Sequence, residues 1–98
     1  MHTTIRQYNG VEPGTVDEII KRVREGFLPI ISSSGGFLRY QFIDAGNGVI
    51  ITISVFETDL AARQSNKMAA NWVEENLLPL LKNPPQISFG EVIIDKLA

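Results

Sequence analysis

The sequence predicts an α+β sandwich, a four-stranded antiparallel sheet with two helices on one face, and three observations predict it. Short runs rich in β-branched and aromatic residues recur along the 98 residues. Two longer stretches place apolar residues at helical spacing. Their order is β-α-β-β-α-β, the arrangement of a split-βαβ, or ferredoxin-like, sandwich.

HTTIRQY, residues 2–8, reads as the first strand, and NGVEPG turns the chain after it. Thr15 followed by Glu18 has the spacing of a capping box. The helix that follows carries Val16, Ile19, Ile20, Val23 and Phe27, and Pro29 should kink or end it. GFLRYQFIDA, residues 36–45, is the second strand, DAGNG a hairpin turn, and GVIITISVF, residues 48–56, the third strand. Thr58 or Asp59 should cap the second helix, which runs to about Leu78 before Pro79 breaks it. QISFGEVIID, residues 86–95, closes the sheet. VREGFLPII (23–31) laid on VEENLLPLL (73–81) matches at Val, Glu, Leu and Pro, so each half is expected to end its helix with one Leu-Pro device.

Length and composition bound the rest. A chain of 98 residues makes one domain, 1–98, and buries about two-thirds of its unfolded surface. Nine Lys plus Arg against eleven Asp plus Glu leave a charge of −2, with the basic residues scattered. No nucleic-acid footprint or polybasic membrane patch is therefore expected. There is no cysteine, which excludes disulfides, thiolate catalysis and Cys-zinc sites. No apolar run approaches the ~20 residues of a membrane span, and MHTTIRQYNG lacks the apolar core of a signal peptide. A cytoplasmic protein is the expectation.

The third strand, VIITISVF, has no charge and is apolar or small on both faces. Val49, Ile51, Ile53 and Val55 point one way, and Ile50, Thr52, Ser54 and Phe56 the other. A sheet with one wet face should alternate apolar with polar, and two helices cover only one face. On the second strand, Leu38, Tyr40 and Phe42 are assigned to one face. Phe37 and Ile43, flanking Arg39 and Gln41, are assigned to the other. A homodimer with sheets face to face is the expected cover. Arg39 and Gln41 could anchor an anionic ligand at the barrel mouth, but pairing across the interface or exposure at its rim is the favoured reading, and Arg6 is read in the same way.

Candidate chemistry centres on SNKMAANWVEEN, residues 65–76. Wound at ~100° per residue, Met68, Ala69, Trp72 and Val73 form an apolar side, and Ser65 and Asn76 fall within roughly 20° and 40° of Trp72. Two readings stay open. Ser65, Met68, Trp72 and Asn76 could line a pocket for a flat aromatic ligand, with Tyr40 on the opposite wall. Alternatively, Ser65 bonds back to the Ala61 carbonyl, Asn76 is satisfied near the helix end, and Trp72 is core. Asn66 and Asn71 point elsewhere on the wheel. His2, the one histidine, reads as a solvated terminal side chain without metal-ligand partners.

From the Gly36-Phe37 start of strand two, through ISVFETDLAA, to the helix carrying Trp72 and the strand after PPQ, the chain resembles the antibiotic-biosynthesis-monooxygenase (ABM) group of dimeric α/β barrels. The pattern SVFE…SN…A..W..ENL..LL..PP is similar to short bacterial members. The resemblance implies a homodimer and a small aromatic ligand. It spans cofactor-free quinone-forming monooxygenases, haem-degrading enzymes, isomerases and members without known reaction. Haem degraders would call for a histidine about ten residues after the tryptophan, where Lys82 stands. Cofactor-free oxygenases would pair the tryptophan with an asparagine one turn earlier, where Met68 stands. Two functions follow: a cofactor-independent monooxygenase acting on an aromatic or polyketide-like molecule, with no cofactor expected, or a non-catalytic barrel that binds a small apolar molecule.

Overall fold

A computed structural model describes residues 1–98. Its elements are β1 (His2–Tyr8), α1 (Val16–Arg22), α2 (Leu28–Ser32), β2 (Phe37–Gly46), β3 (Val49–Phe56), α3 (Asp59–Asn76) and β4 (Gln86–Glu91). The sheet runs β2-β3-β1-β4, with every neighbouring pair antiparallel. This is the ferredoxin-like order, and the helices lie on one face.

Local chemistry explains each boundary. Thr58 caps α3, its hydroxyl accepting from the Ala61 N–H at 3.1 Å. At the β2–β3 hairpin, Asn47 and Gly48 both have positive φ, as a tight two-residue turn requires. Gly48 is held to glycine twice over, since an added Cβ would stand 2.7 Å from the Val11 carbonyl oxygen.

Several expectations are corrected. Thr15 and Glu18 form no capping box: the Thr15 hydroxyl donates to the Glu12 carbonyl within the preceding turn, and Glu18 pairs with Arg22 instead. Pro29 does not end its helix. A π turn over Val23–Phe27 joins α1 to α2, with the Leu28 N–H reaching back to the Val23 carbonyl, and Pro29 then occupies the first turn of α2. There its missing N–H is not needed. Pro79 lies beyond the end of α3, so the two Leu-Pro pairs do different work. The last strand stops at Glu91 rather than residue 95. A bulge between Phe37 and Arg39 turns Phe37 onto the helix-facing side, edge-on to Phe56 at 5.8 Å, and leaves Leu38 exposed. His2 is half-buried against Phe89, its Nδ1 without a partner, rather than solvated.

Between helices and sheet lies the core, with Ile19, Val23, Phe27 and Ile31 from the bent helix, Ala62, Ala69 and Trp72 from α3, and Ile50 and Phe56 from β3. Arg22 ties the helices together at one end, pairing with Glu18 and donating to the Asn76 carbonyl at 2.7 Å. On the opposite face, Ile5, Ile51, Ile53 and Val55 stand only half-buried beside Arg39 and Gln41. The uncovered apolar face expected for β3 is present. Because Phe56 is fully enclosed, Phe56→Ala should lose about 3–5 kcal/mol. Urea unfolding measures this, and a loss under about 1 kcal/mol would mean that the helix–sheet core is packed otherwise.

Candidate functional site

The site lies where the π turn, α3 and the helix-facing side of the sheet meet. Gly26 lets the π turn approach α3 closely, since a Cβ there would stand 3.0 Å from the Trp72 ring. Next in the chain, Phe27 meets the Trp72 ring at 5.2 Å and the Tyr40 ring at 5.6 Å, so one side chain joins helix turn, α3 and β2. Such aromatic contacts carry orientation as well as area. Beneath them is a cavity of about 30 Å³, lined by these three rings with Tyr8, Phe42, Ile50 and other apolar groups. That volume holds about one or two waters. A wider groove of about 280 Å³ opens outside it, bordered by Ile20, Val23, Arg24, Leu28, Tyr40, Phe42 and Asp44. Val23, Tyr40 and Phe42 border both spaces, so cavity and groove adjoin at these side chains.

The candidate residues divide. Trp72, Tyr40 and Ser65 border the cavity. Ser65 is buried, and its hydroxyl makes no bond to the Ala61 carbonyl, so the locally satisfied reading does not hold for it. For Asn76 that reading does hold: its amide donates to the Trp72 carbonyl at 2.9 Å, away from the cavity lining. Met68 packs against the core without reaching the cavity. Asn66, assigned elsewhere on the wheel, borders it.

Arg6 is the residue that sequence reasoning misplaced. Alternation along β1 puts it on the helix side, opposite Thr52 in the register, rather than at the rim of the open face. It is 8% exposed and borders the cavity. Its one hydrogen bond runs from Nη2 to the Asn66 backbone carbonyl, at 3.1 Å. The three ion pairs of the chain, Glu18–Arg22, Asp59–Arg63 and Glu12–Lys82, leave it without a carboxylate. The available signal was parity: Arg6 lies two residues before Tyr8, which is buried.

Burial pushes the Tyr40 phenol well above its ordinary value near 10, and Tyr8 adds to this; Thr52 and Arg6 pull weakly the other way. At neutral pH, Tyr40 is a hydrogen-bond donor and not a base. No cluster of three or more His, Asp or Glu suited to a metal ion occurs, and no histidine borders the cavity.

No protein-family model matches the sequence, and no curated protein matches it. Solved structures match over nearly the whole chain. The ActVA-Orf6 monooxygenase of Streptomyces coelicolor, in complex with nanaomycin D, has a TM-score of 0.79 at 20% identity, covering 99% of this chain and 91% of that one. The haem degrader MhuD of Mycobacterium tuberculosis, with two haems in its active site, has a TM-score of 0.74 at 21% identity, covering 98% and 99%. A protein of unknown function from Nitrosomonas europaea gives 0.79 at 19% identity, covering 99% and 93%. The chain has the ABM fold. Within this ABM fold the described cavity and groove lie between the helix layer and the sheet.

The Tyr40 shift has a stability consequence. The folded phenol holds its proton while the unfolded chain releases it near pH 10, so this contribution is intact below that value and is lost as pH rises above it. Tyr40→Phe should therefore flatten the fall in melting temperature between about pH 8 and about pH 11. Superimposable alkaline melting curves for the two proteins would contradict the burial of this phenol.

Proposed function

We propose that this ABM-fold chain forms a homodimer through its open sheet face and binds a small aromatic molecule between its helices and its sheet. The observation that carries the ligand reading is the aromatic lining by Phe27, Tyr40 and Trp72, adjoined at Val23, Tyr40 and Phe42 by a groove of about 280 Å³. That groove approaches the lower end of ordinary ligand pockets. Structural neighbours hold nanaomycin D or haem. The second of these suits this chain less well. Haem iron needs an axial donor, and no imidazole borders the cavity, while Lys82 is engaged by Glu12 at the surface.

The activity we favour is cofactor-independent monooxygenation of a phenolic aromatic molecule. The ionised substrate itself gives electrons to O2, and one oxygen atom enters the product while the other leaves as water. The chain's part is to enclose the substrate and exclude solvent, with Tyr40 as a neutral donor to an oxygen. A non-catalytic binding role is the second reading, favoured by the absence of a general base among the cavity-lining groups.

Homodimerisation is supported by the half-buried Ile5, Ile51, Ile53 and Val55, and by Ile93 and Ile94, which stand 81% and 86% exposed just past β4. A second copy covers both at once.

Oxygen uptake with an anthrone tests the activity. Trp72→Leu should lower kcat/KM by about tenfold or more, and Asn76→Ala should leave it within about twofold. Equal loss in both variants, or in neither, removes this site. Binding without uptake selects the non-catalytic role. Analytical ultracentrifugation should find a dimer that Ile53→Lys converts to a monomer, and a monomeric parent at micromolar concentration would overturn the assembly.

A further inference from the structure

Arg6 calls for a ligand group of its own. The residue is 8% exposed and borders a cavity whose lining is mostly apolar. A buried charge is expensive unless paired, and the strongest pairing for a guanidinium is a bidentate one with a carboxylate-like oxygen pair. Here its hydrogen-bond partner is the neutral Asn66 carbonyl, which takes one of several N–H donors. Every ion pair in the chain lies elsewhere, on exposed side chains. No ring lies under Arg6 to receive it as a cation–π contact; that arrangement belongs to Arg63 over Phe89.

The surroundings of Arg6 fit an anionic head. Thr52, Ser65 and Tyr40 border the same cavity, and no Asp or Glu does. The space of about 30 Å³ suits a head group of a few atoms rather than a whole aromatic molecule. The body has its place next door, in the groove of about 280 Å³ across Val23, Tyr40 and Phe42. Tyr40 stays neutral, so it can donate to an anion but cannot create one by taking its proton.

We propose that Arg6 is the anion anchor of this site, so that the ligand is an aromatic molecule bearing an ionised oxygen, a phenolate or carboxylate, whose charged end reaches the guanidinium while its rings lie against Tyr40 and Phe42 in the groove. This rests on the aromatic-ligand reading above and names the residue that holds the ligand's ionised oxygen. Arg6 selects the ionised form of the ligand, and Ser65 and Thr52 supply further donors to it.

Calorimetric titration of the intact protein with naphthoate and with its uncharged isostere naphthamide tests the proposal. Naphthoate should bind at least about tenfold more tightly, the usual gain when a hydrogen bond acquires a charged partner. Arg6→Gln should abolish that preference while keeping naphthamide binding, and Arg63→Gln, on a side chain that lies over Phe89 and borders neither cavity nor groove, should keep the preference. Equal affinities in the parent protein overturn the proposal without any variant, so a poorly folding Arg6→Gln leaves it testable. A preference that survives Arg6→Gln, or vanishes with Arg63→Gln, overturns it too. If naphthamide binds and naphthoate gains nothing, the aromatic site stands and the anchor falls; if neither probe binds, both fall. Titration with a nitronaphthol, acidic enough to be ionised at neutral pH, in place of naphthoate separates the phenolate from the carboxylate.

Discussion

Phe27 is the contact on which the helix layer depends. Through one ring it meets Trp72 on α3 and Tyr40 on β2, and so it sets the spacing between layers that no disulfide cross-links. Two local features put it there. The π turn rotates the chain just before Pro29, and Gly26 removes the Cβ that would otherwise press on Trp72. Three rings meeting at angles leave a small space beneath them, because flat side chains propped edge-on do not close over a sheet as branched aliphatics would. The cavity is therefore a consequence of the aromatic prop.

Into that space the sheet delivers a charge. Pairing of β1 with both β3 and β4 makes it a central strand, so a residue on its helix-facing side has little route to solvent. Arg6 occupies such a position. A guanidinium held there by the backbone register, with one neutral acceptor, stores an electrostatic demand that the protein does not itself meet. The same enclosure suppresses ionisation of Tyr40. Low polarity thus acts in one direction on both groups: it favours an anion arriving beside Arg6 and disfavours one forming on the protein.

Much of the fold could be read from sequence because its signals are local. Thr58 caps α3 through its own side chain, Asn47-Gly48 forms the turn that its tolerance of positive φ allows, and β3 shows apolar groups on both faces. The misses have physical causes. A bulge shifts the two-residue alternation, so Phe37 was assigned to the wrong face. β1 carries polar residues on both sides, and its one aliphatic, Ile5, turns to the open face, which hid the burial of Arg6. A helical wheel gives the direction of Asn76 but not the bend of its amide back to the Trp72 carbonyl. Helical phase turned Trp72 and Ser65 toward the sheet and strand alternation turned Tyr40 toward the helices, and all three border the cavity.

The central claim is that the aromatic space between helices and sheet, with Arg6 inside it, receives the ligand. Nuclear magnetic resonance of the labelled protein observes this directly through the Trp72 indole N–H, the Arg6 Nε–H and the amides of Ile51 and Ile53 on the far face. On adding naphthoate, the indole and guanidinium signals should shift together while those of Ile51 and Ile53 hold still. Shifts confined to the far face, with Trp72 and Arg6 unmoved, would contradict the account.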